Sequence, residues 1–464
     1  MVKPWQLRSA FARRLSAMYG REVPAYGTLV DVASAVNDDT LRADADAERL
    51  GSIERVTAER HGAIRVGTPA ELRQAAQIFA AFGMYPVGFY DLREASSGAV
   101  PVVSTAFRPL TAHELARNPF RVFTSMLTTA DRRFFSADLQ ARLETYLGRR
   151  QLFPRELLDL AATAEREQGL PDEQADRFLS LAVAAFELSP EPVDRVWYAE
   201  LERVSAVAAD IGGVSTTHIN HLTPRVMDID LLYERMRRRG IAMIDEIQGP
   251  PGWEGPDVLL RQTSFRALAE PRKFREIDGS VTTGSLRVRF GEVEARGIAL
   301  TPTGRGLYDE LMAETDRALH HSSASRQDLA RQIWQARFPR TERELATRQM
   351  AYFTFQTASG RAPDRQQPPP DGAGLLDGGW LTAHPIVYED FLPRSAAGIF
   401  ASNLTDEGSR DSEQPRIEYD ENWLSEVIER PVWDLFELYR SQQDFSLDAA
   451  YLELEVPRPL RKDQ

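Results

Sequence analysis

Thr217-His218-Ile219-Asn220-His221-Leu222-Thr223-Pro224-Arg225-Val226 is the stretch on which the fold turns. β-branched and apolar residues dominate it, Gly212-Gly213 precede it, and a proline sits near its far end, so it reads as a short strand. Side chains alternate along a strand, which puts Thr217, Ile219, His221, Thr223 and Arg225 on one face and His218 on the other. The two histidines therefore do not converge on one metal from this strand alone.

The pattern has an earlier copy. Arg60-His61-Gly62-Ala63-Ile64-Arg65-Val66 also reads as a strand, with His61, Ala63 and Arg65 on one face. His61 and His221 are 160 positions apart, and so are Arg65 and Arg225, Val66 and Val226, and Leu72 and Leu232. Each strand is followed by a helical stretch that ends at a glycine, Gly83 in the first copy and Gly240 in the second. The H-x-x-x-R strand with its helix is thus a repeated unit that presents one histidine and one arginine on a shared face.

Working outward, residues 1–54 read as N-terminal helices packed on the core, joined near Pro24-Ala25-Tyr26-Gly27. The first of them, Trp5 to Tyr19, is Arg-rich and amphipathic, and its apolar face (Trp5, Phe11, Leu15, Met18) suits docking on the body of the protein. Residues 55–109 form the first strand–helix unit, with further strands at 86–91 and 100–104. Residues 110–209 read as a helical insertion, opened by a capping pattern at Thr111-Ala112-His113-Glu114. Residues 210–300 form the second unit, with strands at 258–265 and 285–294. Residues 301–464 form a C-terminal helical region whose loops and extended segments complete the site, among them a flexible loop at 361–380, a polar loop at 405–415 and an extended run at 383–392. The expected class is α+β, with duplicated strand units making a central sheet or half-barrel around a metal and large helical insertions.

Composition narrows the chemistry. The 464 residues carry a net charge of −13, which argues against a general nucleic-acid or anionic-membrane binder because phosphate contacts need a basic surface. No apolar run approaches bilayer length, and a cytoplasmic location is expected. The chain has no cysteine, which removes thiolate metal sites and cysteine nucleophiles. A metal must then be held by histidine and carboxylate, which favours iron(II), manganese or zinc.

There are seven histidines. His113, His320, His321 and His384 read as structural or exposed, and His218 as a paired or exposed residue. The repeat sets His61 and His221 apart, since two units packed about a pseudo-twofold axis bring both to one point. Phe290-Gly291-Glu292-Val293-Glu294-Ala295-Arg296 supplies carboxylates for a third ligand. Two histidines and one carboxylate hold a non-haem metal while leaving coordination positions open.

Two strand–helix units that each deliver a histidine resemble the vicinal oxygen chelate superfamily. Ile219-Asn220-His221-Leu222 is similar to its first-strand ligand motif, and Glu292-Val293-Glu294-Ala295-Arg296 to the E-x-x-x-R ending of the ligand strand in its hydroxyphenylpyruvate dioxygenase branch. That alignment selects Glu292 over Glu294, which shares its face. Over nearly its full length the chain resembles the 2-oxoadipate dioxygenase/decarboxylases, or hydroxyglutarate synthases. The resemblance rests on 23–29, 60–65, 220–225, Leu260-Arg261-Gln262-Thr263-Ser264-Phe265, 290–294 and 385–393. It implies an iron(II) enzyme of lysine catabolism that converts 2-oxoadipate and O2 to 2-hydroxyglutarate and CO2. It implies His61, His221 and Glu292 as metal ligands, Arg65 as the substrate-carboxylate arginine, His61 also beside the substrate, and a further contact near Ala401-Ser402. Arg225, Gln262 and Glu294 are secondary candidates. An arginine fork suits a dicarboxylate, and Arg65 shares a face with His61. Two rival readings remain open: a metal-dependent isomerase or lyase on the same scaffold, marked by a fourth ligand such as Glu294 or His218, and a non-catalytic ligand-binding protein with structural histidines.

Overall fold

The computed structural model describes residues 1–94, 99–287, 289–358, 368–395, 399, 411 and 413–458. Ala401, Ser402, most of the 405–415 loop and residues 361–367 lie outside them. The N-terminus forms two helices, α1 (Pro4–Glu22) and α2 (Pro24–Ala43), each opened by a proline at its first position, where the missing N–H costs nothing. Leu7, Phe11, Leu15 and Met18 of α1 are buried against the body, as the amphipathic pattern requires.

A short helix, α3 (Ile53–Ala58), leads into β1 (Arg60–Val66). Helix α4 (Pro69–Ala81) follows, started by a capping box between Thr68 and Glu71. Gly83, at φ +67°, ends that segment in the left-handed region that favours glycine. Then come β2 (Tyr85–Asp91), β3 (Val102–Arg108) and β4 (Arg121–Leu127). The last strand corrects the reading of 110–209 as wholly helical. Arg121-Val122-Phe123-Thr124-Ser125-Met126-Leu127 is buried on both faces, and such a strand shows no alternation to reveal it.

After a two-residue strand, β5 (Val193–Asp194), the second histidine strand is β6 (His221–Pro224). It is shorter than the predicted 217–226, because Thr217 turns its hydroxyl to the Arg65 carbonyl and the Ile219 N–H goes to Phe186. The helix Ile229–Arg238 follows and closes at Gly240, φ +76°. Then come β7 (Leu260–Phe265), β8 (Glu270–Arg275), β9 (Val281–Leu286) and β10 (Gly291–Arg296). The expected single strand over 285–294 is therefore two. β9 pairs with β8 in an outlying hairpin, whereas β10 pairs with β7. Gly291 is required at the start of β10, since a Cβ there would lie 1.9 Å from the Phe265 ring. Farther on, β11 (Phe353–Thr357) pairs with β12 (Leu381–Pro385), the start of the predicted extended run. Within the expected loop at 361–380, Gly372–Asp377 forms a helix capped by Asp371, a turn signal hidden among prolines and glycines.

The main sheet runs β2-β3-β4-β1-β6. β1 is parallel to β4 and antiparallel to β6. Beyond β6 the order continues through a single bridge from Arg225 to Glu294 on β10, the β10–β7 ladder, and single bridges from β7 to Met243 and Gln248. Each unit therefore lays out its strands in the same spatial sequence, and the two meet at the β1–β6 ladder. Helices cover one face, where Ile64 and Val66 join Phe79, Leu15 and Leu232. The opposite face carries Ala63, Phe123, Phe290 and Phe391, and the histidines open there.

Candidate metal centre

Gly62 stands opposite Leu222 in the β1–β6 ladder, His61 opposite Thr223 and Ala63 opposite His221. Because directly opposed residues share a face, His61 and His221 become diagonal neighbours on one face. Their ring centroids are 5.4 Å apart and nearly perpendicular. β10 adds Glu292, whose Oε1 lies 3.4 Å from His61 Nε2 and whose Oε2 lies 3.4 Å from His221 Nε2. Ligand atoms of His61, His221 and Glu292 all fall within 4.8 Å of one another, and this is the group that comes together among the described residues.

The repeat also explains why there is one such cluster. Arg65 pairs with Ser125 on β4, and its counterpart Arg225 pairs with Glu294 on β10. Stepping back two residues, the place of Glu292 in the second unit is taken by Phe123 in the first. Only one fourth strand brings a carboxylate.

All three side chains are buried. Burial raises the Glu292 carboxyl above its ordinary pKa, and burial, joined by the charges of His61 and Arg65, pushes the His221 imidazole well below its own. Burial works in the same direction on His61, but Glu294 and Glu292 together outweigh it and raise its pKa. Gln262 donates from Nε2 to Glu292 Oε1. A buried carboxylate that faces two imidazoles and an amide, with no guanidinium bonded to it among the described residues, fits a divalent cation.

Glu294 does not join the cluster. Its Oε2 is 2.9 Å from His61 Nδ1, the ring nitrogen on the other side, although the approach is off the line of the ring N–H. Arg296 grips both of its oxygens at 2.7 and 3.0 Å. Burial opposes its ionisation, but Arg296 and His61 hold the carboxyl down at about 2. His218 is likewise elsewhere, beside Asp210 and Asn220. Arg225 is spent on Glu59 Oε2 at 2.9 Å and the Leu50 carbonyl at 2.7 Å, inside a buried lattice that also contains Arg55, Arg121, Arg296 and Glu389. Arg65 forms an ion pair with Asp210, which also accepts from Asn220 Nδ2 at 2.9 Å.

Sequence reasoning missed three groups. Asp210 lies near the end of a short helix, Ala206–Gly212, and carries no motif of its own. Phe391 packs its ring 4.9 Å from His61, and Phe290 lies tilted against His221 at 5.2 Å. Arg296 was visible as the end of a period-two run, Glu292, Glu294, Arg296, whose members share one face of β10.

Two imidazoles and a carboxylate on neighbouring strands of a duplicated unit define a class, proteins whose nitrogen and oxygen donors could hold one metal ion. The chain belongs to the 2-oxoadipate dioxygenase/decarboxylase family, whose profile matches residues 11–403. The 2-oxoadipate dioxygenase/decarboxylase of Mycobacterium tuberculosis is 56% identical over 434 residues, covering 94% of this chain and 95% of the relative. That of Pseudomonas putida is 41% identical over 470 residues, covering 98% of both. The crystal structure of the Pseudomonas putida hydroxyglutarate synthase in complex with 2-oxoadipate matches with a TM-score of 0.82 and 37% identity, over 98% of this chain and 99% of that one.

Proposed function

We propose that this chain is an iron(II)-dependent dioxygenase that decarboxylates 2-oxoadipate, consuming O2 and yielding 2-hydroxyglutarate and CO2 in the cytoplasmic degradation of lysine. The observation that carries the reading is the His61–His221–Glu292 cluster in a member of this family. The two strand sets, with their repeated order, are taken as vicinal-oxygen-chelate-like units wrapped as a half-barrel around it. Bound there, iron(II) would bring the 2-oxo acid and O2 together and polarise the keto group.

The chain's own residues supply the rest. His61, His221 and Glu292 are three ligands, which leaves room for a bidentate 2-oxo acid and for O2. Phe391 and Phe290 flank the imidazoles and keep water from the reacting carbons. Arg65, fixed by Asp210 and near enough to His221 to affect its titration, is the cation for a substrate carboxylate. Ala401 and Ser402 are proposed as a second substrate contact. The atoms balance without another reductant: one carboxyl leaves as CO2, the keto carbon becomes the new carboxylate, and the adjacent carbon gains the hydroxyl.

The test is O2 consumption by the iron(II)-loaded protein with 2-oxoadipate as the sole organic substrate. Uptake matched by CO2 and 2-hydroxyglutarate, and lost in His221→Ala, supports the reading. Turnover of an oxo acid without O2 uptake would move it to the isomerase or lyase class. The place of His218 and Glu294 outside the cluster already speaks for a three-ligand site.

A further inference from the structure

We propose that Glu294, clamped by Arg296, is a positioning residue that sets the orientation and tautomer of His61. This rests on the reading that His61, His221 and Glu292 hold the metal.

The geometry is a relay along one face of β10. Arg296 is immobilised first: Nη1 donates to the carbonyls of Tyr388 and Asp390 at 2.8 and 3.1 Å, and Nε lies 3.2 Å from Glu59. The same Nε, together with Nη2, forms the fork that fixes both oxygens of Glu294. Glu294 Oε2 is then held 2.9 Å from His61 Nδ1. A proton kept on Nδ1 leaves the lone pair on Nε2, the nitrogen that faces Glu292. The Phe391 ring, edge-on to His61, limits the imidazole from another side. With Nε2 turned to a metal, His61 would have its Nδ1–H on the side where Glu294 is held.

The two histidines are not treated alike. The place of Glu294 is taken in the first unit by Ser125, which bonds instead to Ser104 at 2.8 Å. Neither Nδ1 makes an in-line hydrogen bond among the described residues, but His61 Nδ1 has the Glu294 carboxylate at 2.9 Å, whereas the carboxylate contact of His221 is from Nε2 to Glu292. One ligand has a carboxylate at Nδ1 and the other, among the described residues, does not.

The experiment uses cobalt(II) as the probe, titrated into the metal-free full-length protein against a competing chelator, with proton NMR of the loaded forms. Glu294→Gln is expected to weaken cobalt(II) binding about ten- to a hundredfold. It should also shift one exchangeable ring N–H signal and speed its exchange while the other stays in place. Arg225→Lys, a disturbance of the same buried charge lattice that leaves the Arg296–Glu294 fork in place, should leave both readouts at wild-type values. If Glu294→Gln does not fold, Arg296→Lys opens the fork and should weaken binding in the same direction. Wild-type affinity and signals in the Glu294 or Arg296 variant overturn the proposal. So does complete loss of binding in Glu294→Gln, as in Glu292→Ala, since that would make Glu294 a ligand. Equal binding by wild type and His221→Ala would instead remove the metal reading on which the proposal stands.

Discussion

Gly62 faces Leu222 across the β1–β6 ladder, and Leu222 is also the residue 160 positions after Gly62, the offset of the internal repeat. The pairing axis and the repeat axis therefore coincide at this pair. His61 and His221 each stand one residue before it, so the symmetry of the ladder itself carries both to one point.

Gly62 is the residue that lets the ladder close there. A Cβ at this position would lie 2.7 Å from Ile219 Cδ1 and 3.3 Å from Leu222 Cδ2. Gly62→Val should destabilise the fold by about 1–3 kcal/mol through overpacking, read by denaturant titration. Metal affinity should fall with it, because the strands that carry the two histidines are pushed apart. Wild-type stability would contradict the close approach.

Arg65 and Arg225, equivalent by repeat, should part company in function. Arg65→Ala should raise the KM for 2-oxoadipate about ten- to a hundredfold, the effect of losing a charged hydrogen bond. Arg225→Met leaves Glu59 with one fewer partner and should cost stability, up to about 3–5 kcal/mol, with KM unchanged. Steady-state kinetics beside urea unfolding separates the two.

Acid should unfold the chain in two stages. His218 is held at about 4 by burial, below its ordinary value, so the unfolded chain binds the extra proton first and stability falls as pH drops from 6.5 toward 4. Glu294, at about 2, and Glu59 and Glu389, also lowered by their arginines against the opposing effect of burial, contribute stability that is complete above about pH 4.5. That contribution disappears as pH falls further toward their folded values. Thermal melts from pH 7 to 2 on the metal-free protein follow both stages, and His218→Asn should flatten the first.

Metal removal should lower Tm. A cation that binds only the folded chain stabilises it by about 2.7 kcal/mol at a hundredfold excess over Kd. Calorimetry with and without chelator should show this difference in wild type and none in His221→Ala or Glu292→Ala.

Much of this site was legible before any coordinates. The alternation of strands put His61 and Arg65 on one face, and the equal spacing of His61 and His221 announced two copies. β4 was not legible, because a strand covered on both faces has no period to read. Nor could periodicity separate Glu292 from Glu294, which share a face two residues apart. That choice is made by Arg296, whose fork draws Glu294 to the far nitrogen of His61. The fate of Arg225 depended on Glu59, a residue with no motif and distant in sequence.

The most direct test of the central claim is a single turnover of the iron(II)-loaded protein with 2-oxoadipate under isotopically labelled O2, followed by mass analysis of the product. If the chain is a decarboxylating dioxygenase, 2-hydroxyglutarate carries both labelled oxygens, one in the new carboxylate and one in the new hydroxyl. An organic product with neither label would contradict the account.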